Sequence, residues 1–344
     1  MSETPPFTLE HAYLSEADAL RLLAGRRLSS GHRMLDPKAQ VVGEFGKQIR
    51  PPHVLPASAA EAREQMAKLV ALMDEPPPAL ARIENLSCPG PAGPIALRLY
   101  SPTPKGTALP LVCYLHGGGW VQGNLESHHG CCGKLAAWAN VMVVAIDYRL
   151  APEHKFPAGV EDAVAAVRWL RDNAASLGAD GKRLAVAGDS AGGNLAAVVC
   201  QQLAAKGEPS PQAQVLIYPA VDFAMDLPSH AEMREGYIIP RNRMDWYKGH
   251  YLRGEADALD VRASPLLAGS LKGQPPAMIV TAGFDPLRDE GKAYADKLAA
   301  DGVAVVYREW PGQIHGFTIL TRVIPQGNEC LREIAGYLKR NLNG

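Results

Sequence analysis

Gly188-Asp189-Ser190-Ala191-Gly192-Gly193-Asn194 follows a compact apolar run, Leu184 to Ala187, and precedes a run of small residues, Leu195 to Ala205. That order reads as a strand, a very tight turn carrying a serine, and a helix. The G-x-S-x-G spacing puts glycine where such a turn leaves no room for a Cβ and lifts the serine hydroxyl above the sheet edge. The helix that follows aims its first unpaired N–H groups at the space beside the hydroxyl, where a negative oxygen would be stabilised. An ordinary glycine-rich loop would look similar, so the reading depends on whether the chain supplies the other parts in order.

On either side of this stretch, short apolar runs alternate with helical patterns. Leu111 to Leu115 and Val141 to Ile146 are continuous apolar runs, as expected for strands buried on both faces. Ile95, Leu97 and Leu99 alternate with other residues, as in a half-exposed antiparallel strand. Val215 to Tyr218, Met278 to Thr281 and Val303 to Tyr307 give three more strands, and helices are predicted around Lys134 to Trp138 and from Pro157 onward. The alternation predicts an α/β fold, a mostly parallel central sheet with helices on both faces. In such a sheet the site lies beyond the carboxyl ends of the strands.

Two regions break the rhythm. Residues 1–80 read as a helical segment. Ser15 with Asp18 and Ser58 with Glu61 resemble capping boxes, and Pro76-Pro77-Pro78 stops the second helix. Between them, Gly31 to Pro56 shows little periodicity and reads as loop. Residues 222–262 carry Trp246, Tyr247 and Tyr251 at near-helical spacing without a strand. The expected organisation is therefore a catalytic core of residues 81–221 and 263–344, with a two-part helical cap formed by residues 1–80 and 222–262.

Serine chemistry needs a base, a carboxylate to hold it and donors for the oxyanion. His315 lies a few residues past the last strand and is the base candidate. Asp285, in the loop after the strand Met278 to Thr281, is the orienter; Asp289 is the structural alternative, and a plain helix N-cap is the bland reading of Asp285. His116-Gly117-Gly118-Gly119-Trp120 follows the strand ending at Leu115. Three successive glycines let backbone N–H groups turn inward, so Gly118, Gly119 and Ala191 are the expected donors, with Trp120 as a substrate-contacting pocket wall. The order Ser190, Asp285, His315 is that of α/β-hydrolases.

These motifs resemble the hormone-sensitive-lipase-like branch of the α/β-hydrolase esterases, the bacterial family IV carboxylesterases. The resemblance rests on His116 to Trp120, Asp147 to Ala158 (DYRLAPEHKFPA), Gly188 to Asn194, Asp285 to Glu290 (DPLRDE) and Ile314 to Phe317. It covers the chain from about residue 90 to its end. It implies Ser190 as nucleophile, His315 as base, Asp285 as its partner and a helical cap, hence a carboxylesterase acting on short- to medium-chain acyl esters. An amidase or arylformamidase would use the same groups, and that alternative stays open. Plant gibberellin receptors resemble the same family without the catalytic histidine, but His315 is present here. Within DYRLAPEHKFPA, Arg149, Glu153 and His154 are expected to form a polar brace.

Bulk properties agree with a small-molecule enzyme. The 344 residues are 47 % hydrophobic and 21 % charged, and the net charge of -1 offers nothing to nucleic acid. No apolar run is long enough to span a bilayer. Met1 to Glu10 lacks the basic and apolar regions of a signal peptide, so a cytoplasmic location is expected. The six cysteines show no C-x-x-C pairing, and His128-His129-Gly130-Cys131-Cys132 lacks the spacing of a metal site. No cofactor or metal is expected, and a homodimer is left open.

Overall fold

The computed structural model describes residues 6–106 and 108–343. The first residues of the Met1 to Glu10 stretch therefore lie outside the described part. One eight-stranded sheet runs through the molecule in the order β8-β7-β6-β5-β3-β4-β2-β1. The strands are β1 (Arg82–Gly90), β2 (Gly93–Ser101), β3 (Leu109–Leu115), β4 (Met142–Asp147), β5 (Ala179–Asp189), β6 (Ala213–Ile217), β7 (Ala277–Phe284) and β8 (Val305–Ile314). Strand β2 is antiparallel to both of its neighbours, and every other pairing in the sheet is parallel. This is the α/β-hydrolase fold.

Every residue of β3, β6 and β7 is buried, as continuous apolar runs require when helices cover both faces. Ile95, Leu97 and Leu99 of β2 face one core while the residues between them are more exposed or face the other side, which is the predicted alternation. The sheet separates two apolar cores. One lies under the helices Ala158–Leu177 and Ala191–Ala205; the other lies under His129–Ala139 and Gln326–Leu342.

The N-terminal segment is more helical than its composition suggests. Pro37–Ile49 is a helix of 13 residues inside the stretch read as loop. Asp36 caps it, accepting from the Lys38 and Ala39 N–H groups at 2.8 and 3.2 Å, and Pro37 occupies the first turn where its missing N–H costs nothing. The helix Ala59–Met73 starts as predicted, with Ser58 Oγ accepting from Glu61 N–H; the Glu61 carboxylate reaches back to the Ala57 N–H rather than that of Ser58. The insertion contains the helices Pro228–Glu232, Arg241–Tyr251 and Glu255–Ala258.

The expected brace within DYRLAPEHKFPA is built differently. Arg149 is paired with Asp162 at 2.8 Å, and Glu153 pairs with Arg63 of the N-terminal segment at 2.7 Å. Arg63 also donates to the carbonyls of Val121 and Ala151, so it fastens the Ala59–Met73 helix to the loop after β3. Glu153 is exposed and engaged by Arg63, whereas Asp162 is buried and its carboxylate also accepts the Arg149 backbone N–H.

A second tie holds the N-terminal segment to the far end of the chain. Lys134 and Asp74 are both buried, 3.4 Å apart, and Thr321 Oγ1 donates to Asp74 and contacts the Lys134 ammonium. Removing the lysine would leave a buried carboxylate uncompensated. Lys134→Met is expected to lower unfolding stability by about 3 kcal/mol in urea titrations. A loss below about 0.5 kcal/mol would show that the Asp74 carboxylate does not depend on Lys134 for compensation.

Candidate active site

Three strands of the parallel sheet end in side chains that meet. Ser190 is the first residue after β5, Asp285 the first after β7 and His315 the first after β8. His315 Nε2 lies 3.0 Å from Ser190 Oγ, and His315 Nδ1 lies 2.7 Å from Asp285 Oδ2. Asp285 is fully buried, and its other oxygen accepts from the Leu287 N–H at 2.9 Å, so it also serves the turn into the helix Arg288–Ala300. Asp289 lies apart: it pairs with Arg288 and accepts from the Ser229 N–H.

The serine turn is sterically closed. Ser190 has φ +56°, a strained value for a residue with a side chain, and its N–H donates to the Ile217 carbonyl. A Cβ at Gly188 would sit 2.3 Å from the Gly192 carbonyl oxygen, and one at Gly192 would sit 2.0 Å from that of Leu115. The two glycines of the pentapeptide thus let β5, its helix and the end of β3 touch.

The loop after β3 faces the serine. Gly118 has φ +121°, and the N–H groups of Gly118, Gly119 and Ala191 take part in none of the hydrogen bonds of the described residues. Trp120 lies against the cavity but is 95 % covered, stacked on Tyr251 with centroids 4.5 Å apart and packed on Phe223. It is a wall held by other aromatics.

Asp189 inside the pentapeptide was not singled out from the sequence. It is buried and accepts from the Tyr114 hydroxyl at 2.8 Å and the Gly117 N–H at 3.0 Å, and His128 Nε2 is 3.1 Å away. Burial would raise its pKa, but the charge of and hydrogen bond from His128, with the Tyr114 hydroxyl, outweigh that and hold it below the usual range. Asp189 therefore ties the serine turn to the glycine loop. Only an acidic residue in the x position hinted at this.

His116 backs the same loop. Its Nδ1 is 2.8 Å from the Gly117 carbonyl, which only accepts, so Nδ1 carries the proton. Its ring stacks on Tyr148 at 4.4 Å, and the Tyr148 hydroxyl donates to the His116 carbonyl. Burial, then the neighbouring His128, push the His116 pKa down to about 3.

The cavity above Ser190 and His315 is mostly apolar. Met66, Leu69 and Val70 of the N-terminal segment face Ile238, Ile239 and Met244 of the insertion across it. Tyr247 lies against Gly119, and its hydroxyl donates to Gln122 Oε1. On another wall, Glu290 is fully buried, bonded to His230 Nε2 at 2.9 Å and to the Val221 N–H; burial pushes it up to about 7 against the pull of His230.

Two tests follow from this geometry. A Cβ at Gly117 would sit 2.3 Å from Asp189 Oδ2, so Gly117→Ala is expected to displace the loop and, in the reading proposed below, to lower kcat by about 100-fold, the cost of one misplaced oxyanion donor, with a native circular dichroism spectrum. A kcat within twofold of the parent would contradict it. His116 has a folded pKa far below its unfolded value of ~6.5. Its contribution to stability is full above pH ~6.5 and is lost as pH falls toward 3, by at most about 1.4 kcal/mol per pH unit. Urea melts between pH 4 and 7 should show that slope reduced in His116→Gln; an identical slope would refute the assignment.

The sequence pattern of a family described as alpha/beta hydrolase fold matches residues 112–319. The chain is 45 % identical over 268 residues to carboxylic ester hydrolase LipN of Mycobacterium tuberculosis, covering 75 % of this chain and 71 % of that protein. It is 38 % identical over 304 residues to an ethyl acetate hydrolase of Pseudomonas putida, covering 87 % of this chain and 95 % of the relative. Among solved structures, the ester hydrolase EH1AB1 from the metagenome of Lake Arreo superposes with a TM-score of 0.86 at 42 % identity, covering 90 % of this chain and 100 % of that one. The chain belongs to the α/β-hydrolase family, among its carboxylic ester hydrolases.

Proposed function

We propose that the protein is a serine carboxylesterase that cleaves short- to medium-chain acyl esters through an acyl-enzyme. The observation that carries this reading is the chain of contacts Ser190–His315–Asp285, 3.0 and 2.7 Å long, at the foot of an apolar cavity. In this reading Ser190 Oγ attacks the ester carbonyl carbon while His315 Nε2 takes its proton. Asp285 accepts from Nδ1–H, which fixes the tautomer and favours the imidazolium. The carbonyl oxygen, now negative, is bound by the free N–H groups of Gly118, Gly119 and Ala191. The alkoxide leaves with the proton from His315, and the acyl group stays on Ser190. Water, deprotonated by His315, then attacks the acyl-enzyme; the acid leaves, and Ser190 recovers its proton.

Residues 1–80 and 222–262 form the cap in this account, because the apolar side chains facing the catalytic serine come from both. Acyl length is then limited by Met66, Leu69, Ile238 and Met244 rather than by the core.

Ser190→Ala is expected to lower kcat on p-nitrophenyl acetate by about 10⁶-fold, as for related triads. Retention of most ester hydrolysis would overturn the nucleophile assignment. Across p-nitrophenyl esters of increasing acyl length, kcat/KM is expected to peak at short to medium chains and to exceed that of matched aryl amides. A maximum on long, emulsified esters, or faster amide cleavage, would contradict the proposal.

A further inference from the structure

One cation in the cavity has no role in ester cleavage. Arg50, at the end of the Pro37–Ile49 helix, lines the same cavity as Ser190 and His315. Among the described residues its guanidinium makes no hydrogen bond and no ion pair. The charged or polar side chains that bear on it are Arg243, Tyr247 and Glu61. Arg243 is another cation, 2 % exposed, whose Nε and Nη1 have no partner; it bears on the Tyr247 hydroxyl, and its Nη2 approaches the Val54 carbonyl at 3.5 Å, but no carboxylate pairs with it among the described residues. Glu61 offers little compensation, because its oxygens accept from the Ala57 N–H and from Gln65 Nε2. The loop after Arg50 is fixed on the Arg241–Tyr251 helix, where Asn242 contacts the Pro52 carbonyl. Tyr247 of that helix sits directly against Gly119.

Two neighbouring guanidinium groups, one of them out of water, are costly unless an anion completes them. Burial and the charge of Arg243 push the Arg50 pKa down, the direction expected of a cation lacking its counterion. The acidic side chains on the cavity do not supply that counterion. Both Glu290 oxygens are bonded, to His230 and the Val221 N–H, and Asp222 bears on Glu290 and accepts from the Ala224 N–H. We propose that Arg50, backed by Arg243, receives a carboxylate of the substrate, so that the preferred ester is a half-ester of a dicarboxylic acid. The planar fork of a guanidinium matches a carboxylate in two parallel hydrogen bonds. The apolar side chains that line the same cavity, Met66 and Leu69 among them, then take the methylene chain. This inference rests on the esterase reading above.

The test uses chain-matched pairs: monoethyl succinate, glutarate and adipate against ethyl butanoate, pentanoate and hexanoate. The readout is the ratio of kcat/KM for the half-ester to that for its neutral partner. In Arg50→Gln that ratio is expected to fall about 10- to 100-fold for the best pair, mainly through KM, the loss typical of a charge-assisted hydrogen-bonded pair. Arg50→Glu is expected to lower it further and Arg50→Lys to restore part of it. In the parent protein, raising NaCl from 0.05 to 0.5 M should depress the same ratio, and this arm needs no variant to fold. A ratio within twofold of the parent in Arg50→Gln for all three pairs, with ethyl esters still cleaved, would overturn the carboxylate subsite alone. Failure of the parent protein to cleave any of the six esters would overturn the esterase reading, and this inference with it.

Discussion

The contact on which the site depends is the meeting of β5 and β3 at their carboxyl ends. Gly192 lies so close to Leu115 that any side chain there would strike the Leu115 carbonyl. Asp189 then takes the Gly117 N–H and the Tyr114 hydroxyl into one buried carboxylate. Steric closure sets the distance, and the carboxylate sets the orientation. Together they bring the serine turn and the glycine loop to one place, with N–H groups on both left free. Electrostatic preorganisation of this kind requires donors that do not have to move when charge develops.

The candidate triad is placed by the sheet, and much of the apolar lining above it by the two helical segments. Ser190, Asp285 and His315 each follow a strand directly, and an irregularity in the pairing between Trp310 and Ile314 precedes His315, so strand register together with that irregularity sets their spacing. Much of the apolar cavity lining comes from two segments far apart in sequence, which pack on the core and are also joined to it by polar ties. Arg63 spans from the Ala59–Met73 helix to Glu153 and the Val121 carbonyl, and Lys134 with Asp74 and Thr321 joins the linker after that helix to the loop that follows His315.

The sheet and the candidate triad were legible because their signals are local. Most strands are short apolar runs, and each candidate residue follows such a run. Ser190 stands within three residues of Ala187, and His315 further past Tyr307 because the last strand continues through polar residues to Ile314. The helix Pro37–Ile49 was also announced locally, by Asp36 before Pro37, but glycines at 43 and 46 and the polar residues around them hide its apolar face. Other features depend on partners that no spacing reveals. His128 and Asp189 are 61 residues apart, and Arg149 chooses Asp162 over the nearer Glu153 because only Asp162 is buried beside it. Arg50 follows the Pro37–Ile49 helix as its C-cap, and nothing in its own stretch of sequence announces Arg243 and Tyr247, which bear on it.

The central claim is that Ser190 becomes covalently acylated, and trapping that adduct tests it most directly. Incubating the protein with a p-nitrophenyl alkylphosphonate and mapping the product by peptide mass spectrometry should give one adduct per chain. It should sit on the peptide containing Ser190, with p-nitrophenolate released in equal amount and ester hydrolysis abolished. An adduct on another residue, or full ester hydrolysis after Ser190 is modified, would contradict the account.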